Sequence, residues 1–409
     1  MFIKMMRQMA KYKQTEIGMI PVDWETTTIG KSVSFLKSGI SRPFESKNVG
    51  IPVLRSGNVK NGKINLINLK YWYKEDPKGY DLSKIILKKD DILINFVNGS
   101  VDELGKSGIY KEEIKPCIVT TNFFIVRFNE QISPDFFNQI AQTQIYKKQI
   151  KSLFRFGNQG SFNMEDLQKI IIPLPNISEQ KKISEIIFTI DKRLDILERE
   201  RKKVEQLMTG IMKELLHEKK WKLVKLGDEN FFELIMGQSP PSESYNNEGI
   251  GLPFMQGNSE FGATYPEITV YCSKPVKIAK SGDILMSVRA PVGEINIANK
   301  DCCLGRGVGA IRPKKDVDTE YLFYILRSMN SKLDSISGGS TFKAITKGQL
   351  ENFEIALPPI QEQKRISQIL SIIDKKLSIQ NSKKFKLNKI KKSLMNDLLI
   401  GKKRVKVTN

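Results

Sequence analysis

Two copies of the tripeptide Glu-Gln-Lys combine an acid and a lysine at a spacing found in metal-dependent nucleases. They occupy residues 179–181 and 362–364, and the carboxylates of such a site would hold Mg²⁺. Each copy follows a proline and opens a periodic apolar segment, where an acid complements the positive end of a helix. No further acid precedes both copies at a common spacing, so helix capping is the favoured interpretation. A stand-alone Mg²⁺-dependent enzyme acting on DNA is the alternative.

Other catalytic groups are scarce. The four cysteines, Cys117, Cys272, Cys302 and Cys303, lack the paired spacing of a metal site, and His217 is the one histidine. A zinc site, a disulfide scaffold and a nucleophile-histidine triad are therefore disfavoured. From these residues we expect no active site, no metal and no cofactor in this chain.

The two tripeptides belong to a long internal repeat. Residues 179–194 return as 362–377, an offset of 183, with ten identities in sixteen positions. Upstream, Trp24 corresponds to Trp221, and residues 91–93 correspond to 283–285. Such a long offset requires each unit to be a whole domain plus a connecting helix. We therefore expect an approximate internal two-fold.

The copied segments have the heptad pattern of coiled-coil helices. The seam of the first comprises Ile183, Ile187, Ile190, Leu194, Leu197, Val204, Met208, Ile211 and Leu215, with Arg201 as an exception. The seam of the second comprises Ile366, Leu370, Ile373, Leu377, Leu387, Leu394 and Leu398, and is interrupted by Gln380, Lys384 and Lys391. A forty-residue helix is about 60 Å long, so we expect an antiparallel pair that acts as a spacer. The alternative is that each helix serves only its own domain's core.

The globular segments have mixed α+β patterns. Short β-rich runs at residues 92–95, 123–128 and 169–175 predict strands, since Gly, Asn and Pro punctuate them. One helix is predicted from Ser133-Pro134 to about Leu153, and its counterpart from about Thr319 to Ile336.

Bulk properties point to a polyanionic partner. The net charge is +21 and the pI is near 9.6, and Lys and Arg side chains displace counterions from phosphates. The amino terminus lacks the apolar core of a signal peptide, and no run of eighteen apolar residues occurs. We expect a cytoplasmic protein with no membrane partner.

Taken in order, the motifs resemble those of the DNA specificity subunit of type I restriction-modification systems. They are YKQTEIGMIPVDWETTTIG (Tyr12–Gly30), GDIL (Gly282–Leu285), LPPIQEQKRI (Leu357–Ile366) and LLIGKKRV (Leu398–Val405). The resemblance covers nearly the whole chain, and the order of the motifs is more specific than any single one.

The resemblance implies an α+β fold with two pseudo-symmetric target recognition domains, separated by two long helices that form an antiparallel coiled coil. Each domain would read one half of a bipartite double-stranded DNA site, and the helices would set the spacing and dock methyltransferase subunits. The chain itself would be non-catalytic; restriction and motor subunits would join it, and S-adenosylmethionine, ATP and Mg²⁺ would be bound by those partners. A coiled-coil DNA-binding architectural protein is a further alternative. The expected divisions are an extension (1–19), recognition domain 1 (20–176), the central helix (177–217), recognition domain 2 (218–359), the C-terminal helix (360–402) and a tail (403–409).

Candidate DNA-reading residues follow from side-chain chemistry, since Arg suits guanine, Asn and Gln suit adenine, and Lys or Ser positions phosphates. In the first domain they are Arg42, Arg55, Ser56, Asn58, Asn98, Arg155, Asn158, Gln159 and Ser161. In the second they are Gln238, Ser239, Gln256, Asn258, Arg289, Arg306, Ser340, Thr341 and Lys343. Fewer than about half are expected to touch DNA, because polar loops are commonly just loops. Arg127 and Arg312 match in both halves, so we assign them to the framework.

Overall fold

The computed structural model describes residues 11–98, 100–154, 160–216, 221–337 and 344–406. The chain divides into two compact units. Unit 1 comprises Met1–Ile196 and Lys384–Asn409, and unit 2 comprises Leu197–Lys383. Each unit therefore contains one globular domain and a part of each long helix.

The globular part of unit 1 begins with a series of short strands, and its later portion combines short helices with two further strands. Its elements are β1 (Tyr12–Thr15), β2 (Gly18–Pro21), β3 (Glu25–Thr28), α1 (Ile29–Ser32), β4 (Val33–Ser38), β5 (Gly50–Leu54), β6 (Val59–Lys60), β7 (Lys63–Ile64), β8 (Lys70–Tyr73), β9 (Ile92–Asn95), β10 (Val97–Asn98), β11 (Ser107–Ile109), β12 (Ile118–Val119), β13 (Phe123–Phe128), α2 (Pro134–Ile140), α3 (Gln144–Ser152), β14 (Gly160–Ser161), α4 (Met164–Lys169) and β15 (Ile171–Leu174). The long helix α5 (Ile177–Leu216) follows and continues into unit 2.

The central sheet of unit 1 separates two apolar layers. Its order is β11-β9-β13-β4, and a second sheet has the order β12-β5-β8. Because strand side chains alternate between faces, Ile92 and Phe124 join the cluster that contains the helices. Leu93 and Phe123 join the cluster shared with the second sheet. The predicted strands at 92–95 and 123–128 are confirmed.

Unit 2 repeats this plan. Its elements are β16 (Lys222–Lys225), β17 (Phe232–Met236), β18 (Tyr245–Asn246), β19 (Leu252–Met255), β20 (Tyr271–Cys272), β21 (Ile278–Ala279), β22 (Ile284–Ser287), β23 (Ile295–Ile297), β24 (Cys302–Leu304), β25 (Val308–Pro313), α6 (Thr319–Ser328), α7 (Asn330–Ile336), α8 (Lys347–Glu351), β26 (Glu354–Leu357) and the long helix α9 (Ile360–Leu398). The sheet β17-β25-β22-β23 corresponds to β4-β13-β9-β11, and the parallel pair β19-β24 corresponds to β5-β12.

Each predicted domain helix is in fact two helices. In unit 1 the break lies between α2 and α3, where the Thr143 hydroxyl donates to Ile140 O at 2.6 Å and Thr143 is extended. In unit 2 it lies at Met329, whose backbone leaves the helical region and whose N–H donates to Leu326 O at 3.0 Å. In unit 1 a side-chain hydrogen bond competes with the helix ladder. In unit 2 the backbone closes a tighter i−3 turn before the next helix begins.

A duplicated ion pair holds the central sheets. In unit 1, Arg127 makes two hydrogen bonds to buried Asp91, of 2.7 and 2.8 Å. In unit 2, Arg312 makes two to buried Asp283, of 3.0 and 2.8 Å. A buried carboxylate needs such a partner, so the assignment of both arginines to the framework is confirmed.

The two long helices run antiparallel in unit 1. Asp191 of α5 pairs with Lys391 of α9 at 2.6 Å, whereas Glu179, earlier in α5, pairs with Arg404, later than α9, at 2.7 Å. The predicted seam residues Ile183, Ile187, Leu394 and Leu398 share one apolar cluster with the domain, and Ile190, Leu194 and Leu387 are half-buried. Lys391 therefore interrupts the seam with a paired charge.

In unit 2 the seam also joins the domain core. Val204, Met208, Ile211, Ile366, Leu370, Ile373 and Leu377 all belong to or pack against one cluster. Leu197 is half-buried, and the side chain of Leu215 lies outside the described part of the structure. Arg201 is paired with Glu198 and Glu205 on its own helix. Buried Gln380 has no hydrogen-bond partner for its Oε1 among the described residues, so it is the costly seam position in this unit.

The β1–β2 hairpin and the segment that follows α9 meet in unit 1. The β1–β2 hairpin packs beside the last residues, with the Tyr12 hydroxyl donating to Lys402 O at 3.1 Å. Arg404 bonds both Asp23 and the buried Glu179. The expected boundary between residues 19 and 20 therefore falls inside β2. In the described ranges, no helix has the length and apolarity needed to cross a membrane.

Candidate nucleic-acid interface

The carboxyl ends of β17, β19, β22 and β24 converge in unit 2. Backbone hydrogen bonds join the turns that follow them: Gly305 N–H donates to Met255 O at 2.8 Å, and Val288 N–H donates to Gly307 O at 2.9 Å. Because turns tied to a sheet edge are held by the strands beneath, the backbone that carries their side chains is fixed in position.

Glycines allow these turns to approach one another. A Cβ on Gly237 would lie 2.1 Å from Gly305 O, and one on Gly307 would lie 2.3 Å from Gln256 O. Real side chains cannot be accommodated at such distances. Arg306 lies between Gly305 and Gly307. Its N–H donates to Ser239 Oγ at 3.2 Å, so its backbone is fixed while its side chain is exposed.

Five of the predicted DNA-reading residues line one concavity here, of about 380 Å³. They are Ser239, Gln256, Asn258, Arg289 and Arg306. The side chains of Gln256, Arg289 and Arg306 are exposed. In the described ranges neither arginine forms an ion pair, unlike Arg312 and Arg327 of the same unit. The surface therefore presents two uncompensated guanidinium groups beside two amides.

Of the other predictions for the second domain, Gln238 is within the described residues and does not line this concavity. Gln238 is exposed next to Ser239, and its N–H donates to Leu304 O at 3.0 Å. Ser340, Thr341 and Lys343 lie outside the described residues. The neighbouring Ala344 forms a β-bridge with Arg289, which ties residue 344 to the edge of the concavity.

The corresponding surface of unit 1 can be located by register. Val119 pairs with Leu54 as Leu304 pairs with Met255, and Val97 pairs with Ser161 as Arg289 pairs with Ala344. Counting on from these pairs gives Arg55, Val97 and Thr121 as the equivalents of Gln256, Arg289 and Arg306. Ser41 is the equivalent of Ser239, because Ser38 pairs with Phe124 as Met236 pairs with Gly309.

Arg42 is a structural residue rather than a free reader. Its Nε donates to Asp76 Oδ2 at 2.7 Å, and the Asp76 side chain is fully buried. Burial alone would raise the pKa of Asp76, but hydrogen bonds from Arg42 and from Lys78 N–H outweigh it and lower that pKa. Removing Arg42 would leave a buried carboxylate without its charge partner, so we withdraw it from the DNA-reading set.

Asn58 is likewise committed to its own loop. Its Oδ1 accepts from Arg55 N–H at 2.9 Å, its Nδ2 donates to Asn65 O and Ile67 O at 2.9 Å each, and it is 3% exposed. A base edge cannot reach this amide, so the predicted role for Asn58 is corrected to loop closure. Arg55 is half-buried and donates to Asn68 O at 3.0 Å.

Three of the first-domain predictions keep accessible polar groups near the equivalent surface. Asn98 Nδ2 donates to Ser56 Oγ at 3.3 Å, and both side chains are half-buried. Ser161 is half-buried across the β10–β14 ladder from Val97. Arg155, Asn158 and Gln159 lie outside the described residues.

Sequence reasoning missed two positions. Ser41 is exposed and Thr121 is half-buried, and they occupy the positions of Ser239 and Arg306. Neither stands out by residue type. The signal that could have found them is the count from the duplicated strand pairs.

The carboxylates of the two Glu-Gln-Lys copies have different local partners. Glu179 accepts from Trp24 Nε1 at 3.1 Å and from Arg404 Nε at 2.7 Å, whereas Glu362 is half-buried and pairs with Arg365 at 3.5 Å on its own helix. The glutamines, in contrast, make equivalent contacts in the two copies. Gln180 and Gln363 each bind the residues before the helix, which is a structural role.

The cysteines offer little reactivity. Burial raises the pKa of Cys117, Cys302 and Cys303 to about 12, so these thiols stay protonated and are poor nucleophiles and metal ligands. Within the described ranges, no three His, Cys, Asp or Glu side chains are grouped to hold a metal ion.

Comparisons with known proteins agree with this duplicated plan. A family model, the type I restriction modification DNA specificity domain, matches residues 21–206 and again 218–390. A curated relative in Methanocaldococcus jannaschii, described as the specificity subunit of type I restriction enzyme MjaX, is 38% identical over 418 residues, with 97% of each chain covered.

Solved structures give the same correspondence. A chain from a study of complex assembly and conformational transition in a type I R-M system is 26% identical, with a TM-score of 0.58 and coverage of 93% of this chain and 99% of that chain. The S subunit of a restriction-modification system from M. genitalium shares the fold at 15% identity, with a TM-score of 0.62 and coverage of 92% and 96%.

Proposed function

Because the chain belongs to the type I restriction-modification DNA specificity family and is a DNA-recognition subunit, we propose that each globular domain reads one half of a bipartite site. The observation that carries the proposal is the strand-end surface of unit 2, where Arg289 and Arg306 lack acidic partners in the described ranges and flank Gln256 and Asn258. Unit 1 has the same frame with different side chains at these positions. Two similar frames with different surfaces suit two different half-sites.

Charge supports a duplex as the ligand. The net charge of +21 favours counterion release from phosphates, and this term is independent of sequence. Specificity then requires side chains that reach base edges. The strand-end surfaces supply these groups on a frame that hydrogen bonds hold in place.

The long helices would set the spacing between half-sites and dock methyltransferase subunits. Both α5 and α9 belong in part to each unit, so their length would determine the spacing between the half-sites. Restriction and motor subunits would complete the assembly. The chain would be non-catalytic, and its partners would bind S-adenosylmethionine, ATP and Mg²⁺. Since host DNA is the target, we expect it to act in the cytoplasm.

A domain exchange tests the assignment of half-sites. The chain is produced with the methyltransferase subunit of its host, and methylated motifs are mapped genome-wide by single-molecule sequencing. Replacing residues 218–358 with the corresponding segment of a relative should change one half of the motif and leave the other half unchanged. A motif that is unchanged, or changed in both halves, would contradict the proposal.

A matched pair of helix insertions tests the spacer. One heptad added to each of α5 and α9 lengthens both helices by about 10 Å, since the rise is about 1.5 Å per residue. At about 3.4 Å per base pair, the unspecified spacer should grow by about three base pairs, with both half-sites unchanged. An unaltered spacer would rule out the helices as the ruler.

A further inference from the structure

The two arginines of unit 2 occupy positions where the frame, not neighbouring acids, determines their placement. Arg289 follows β22 and is bridged to Ala344, and Arg306 lies in the β24–β25 turn with its N–H bound to Ser239 Oγ at 3.2 Å. The nearby carboxylate of Glu260 is engaged within its own turn, accepting from Gly257 N–H at 3.3 Å and from the Ser259 hydroxyl at 2.6 Å. Both guanidinium groups are therefore available to a ligand.

The groups around the arginines suit a base edge better than a phosphate. Phosphate oxygens only accept hydrogen bonds, so the carbonyl oxygens of Gln256 and Asn258 would find no donor there. Base edges in the major groove present donors as well as acceptors. A concavity that combines guanidinium donors with two amides matches such a mixed edge.

Among base edges, guanine fits an arginine best. Its O6 and N7 atoms are adjacent acceptors, and the planar guanidinium can donate to both at once. We propose that Arg289 and Arg306 read guanines, so that the half-site bound by the second domain contains G·C pairs. This inference rests on the proposed function and adds the base that this surface selects.

The first domain lacks this pair of arginines at the equivalent positions. Val97 and Thr121 replace the two arginines, and Arg55, which replaces Gln256, is half-buried with its Nη2 bonded to Asn68 O. Neither Val97 nor Thr121 can donate a bidentate pair. The difference between the two half-sites therefore originates in part at these two positions.

Competition binding to designed duplexes tests the inference. The full chain, purified with its methyltransferase partner, is titrated at fixed salt with the mapped site and with duplexes in which each G·C pair of the second domain's half-site is replaced in turn by A·T. For the unchanged protein, replacement of a contacted pair should weaken binding roughly 5- to 150-fold. Arg306→Ala and Arg289→Ala should each lose that discrimination at one position and keep it at the others.

Two further variants separate a base contact from a phosphate contact. Arg306→Lys keeps the charge but lacks the planar fork, so it should bind non-cognate duplex normally and discriminate less than the unchanged protein does. Lys315→Ala removes a charge from the turn after β25, at the opposite end of the sheet strands, and should keep full discrimination.

Three results would overturn the inference. The first is that Arg306→Ala weakens binding to every duplex equally and that Arg306→Lys restores this binding, which indicates a phosphate contact. The second is a mapped half-site without a G·C pair. The third is undiminished discrimination in both alanine variants. The domain exchange could still move the half-site in each case, so failure of the guanine assignment is distinguishable from failure of the proposed function.

Discussion

Gln180 and Gln363 make the same three hydrogen bonds in the two units. Gln180 donates to Pro175 O and Gln131 O and accepts from Ser133 N–H, with distances of 2.9 Å. Gln363 donates to Pro358 O and Asp316 O and accepts from Asp318 N–H, with distances of 2.8 to 3.0 Å. Each glutamine thus fastens the start of a long helix to the turn that precedes the domain helix.

Replacement of Gln180 should destabilise unit 1. Gln180→Leu leaves the buried Ser133 N–H and two carbonyl groups without partners, and we expect a loss of about 2–4 kcal/mol in the free energy of unfolding. Chemical denaturation measures it. Gln206→Leu makes the same change at an exposed position of α5 and should have little effect. Equal stability of both variants would contradict the fastening role.

The arginines of unit 2 should separate into structural and reading residues. Arg312→Ala leaves the Asp283 carboxylate, which is 2% exposed, without its arginine partner, and should lower the free energy of unfolding by about 3–5 kcal/mol. Arg306→Ala removes an exposed, unpaired group and should leave the denaturation midpoint nearly unchanged. A comparison of the two melting curves checks this, and a large loss of stability in Arg306→Ala would contradict the assignment.

The Asp191–Lys391 pair should report on helix orientation. Asp191→Lys places two half-buried cations together and should destabilise the protein by about 1 kcal/mol. The exchanged double variant, Asp191→Lys with Lys391→Asp, should recover most of that loss. A double-mutant cycle by urea denaturation measures the coupling, and a coupling energy near zero would argue against this antiparallel register.

Arg404 should stabilise unit 1 from the end of the chain. Its guanidinium bonds Asp23 and Glu179 and lies 5.7 Å from the Trp24 ring. Glu179 is 1% exposed, but Arg404 is 41% exposed and partly screened, so we expect Arg404→Ala to cost about 2–3 kcal/mol, below the range for buried pairs. Lys406→Ala, a neighbouring exposed cation, is the control and should unfold as the unchanged protein does.

The same contact predicts a pH dependence. The hydrogen bond from Arg404 is the main cause that lowers the pKa of Asp23 below its ordinary value of 3.8. A lowered folded-state pKa stabilises the protein above that ordinary value, and the contribution disappears as the pH falls through the folded-state pKa. The stability difference between the unchanged protein and Arg404→Ala should therefore be constant near pH 7 and shrink below pH 3.8. A difference that grows on acidification would contradict it.

The sequence predicted the framework better than the reading surface, for physical reasons. Strands such as Ile92–Asn95 are contiguous apolar runs that are buried throughout, and Arg127 and Arg312 matched because a buried acid demands a partner in both halves. Asn58 failed because a polar loop side chain looks the same whether it closes its loop or faces a ligand. Thr121 was missed because its position depends on strand register, which residue type does not encode.

The ion pairs that Arg404 forms with Asp23 and Glu179 have a consequence for protein synthesis. Unit 2 ends at Lys383, whereas unit 1 needs residues from 384 onward. The ribosome therefore completes all of unit 2 before it has synthesised the C-terminal segment that unit 1, although begun first, still needs. A messenger RNA truncated by a few codons before its stop codon would still encode all of unit 2 but would leave unit 1 without Arg404.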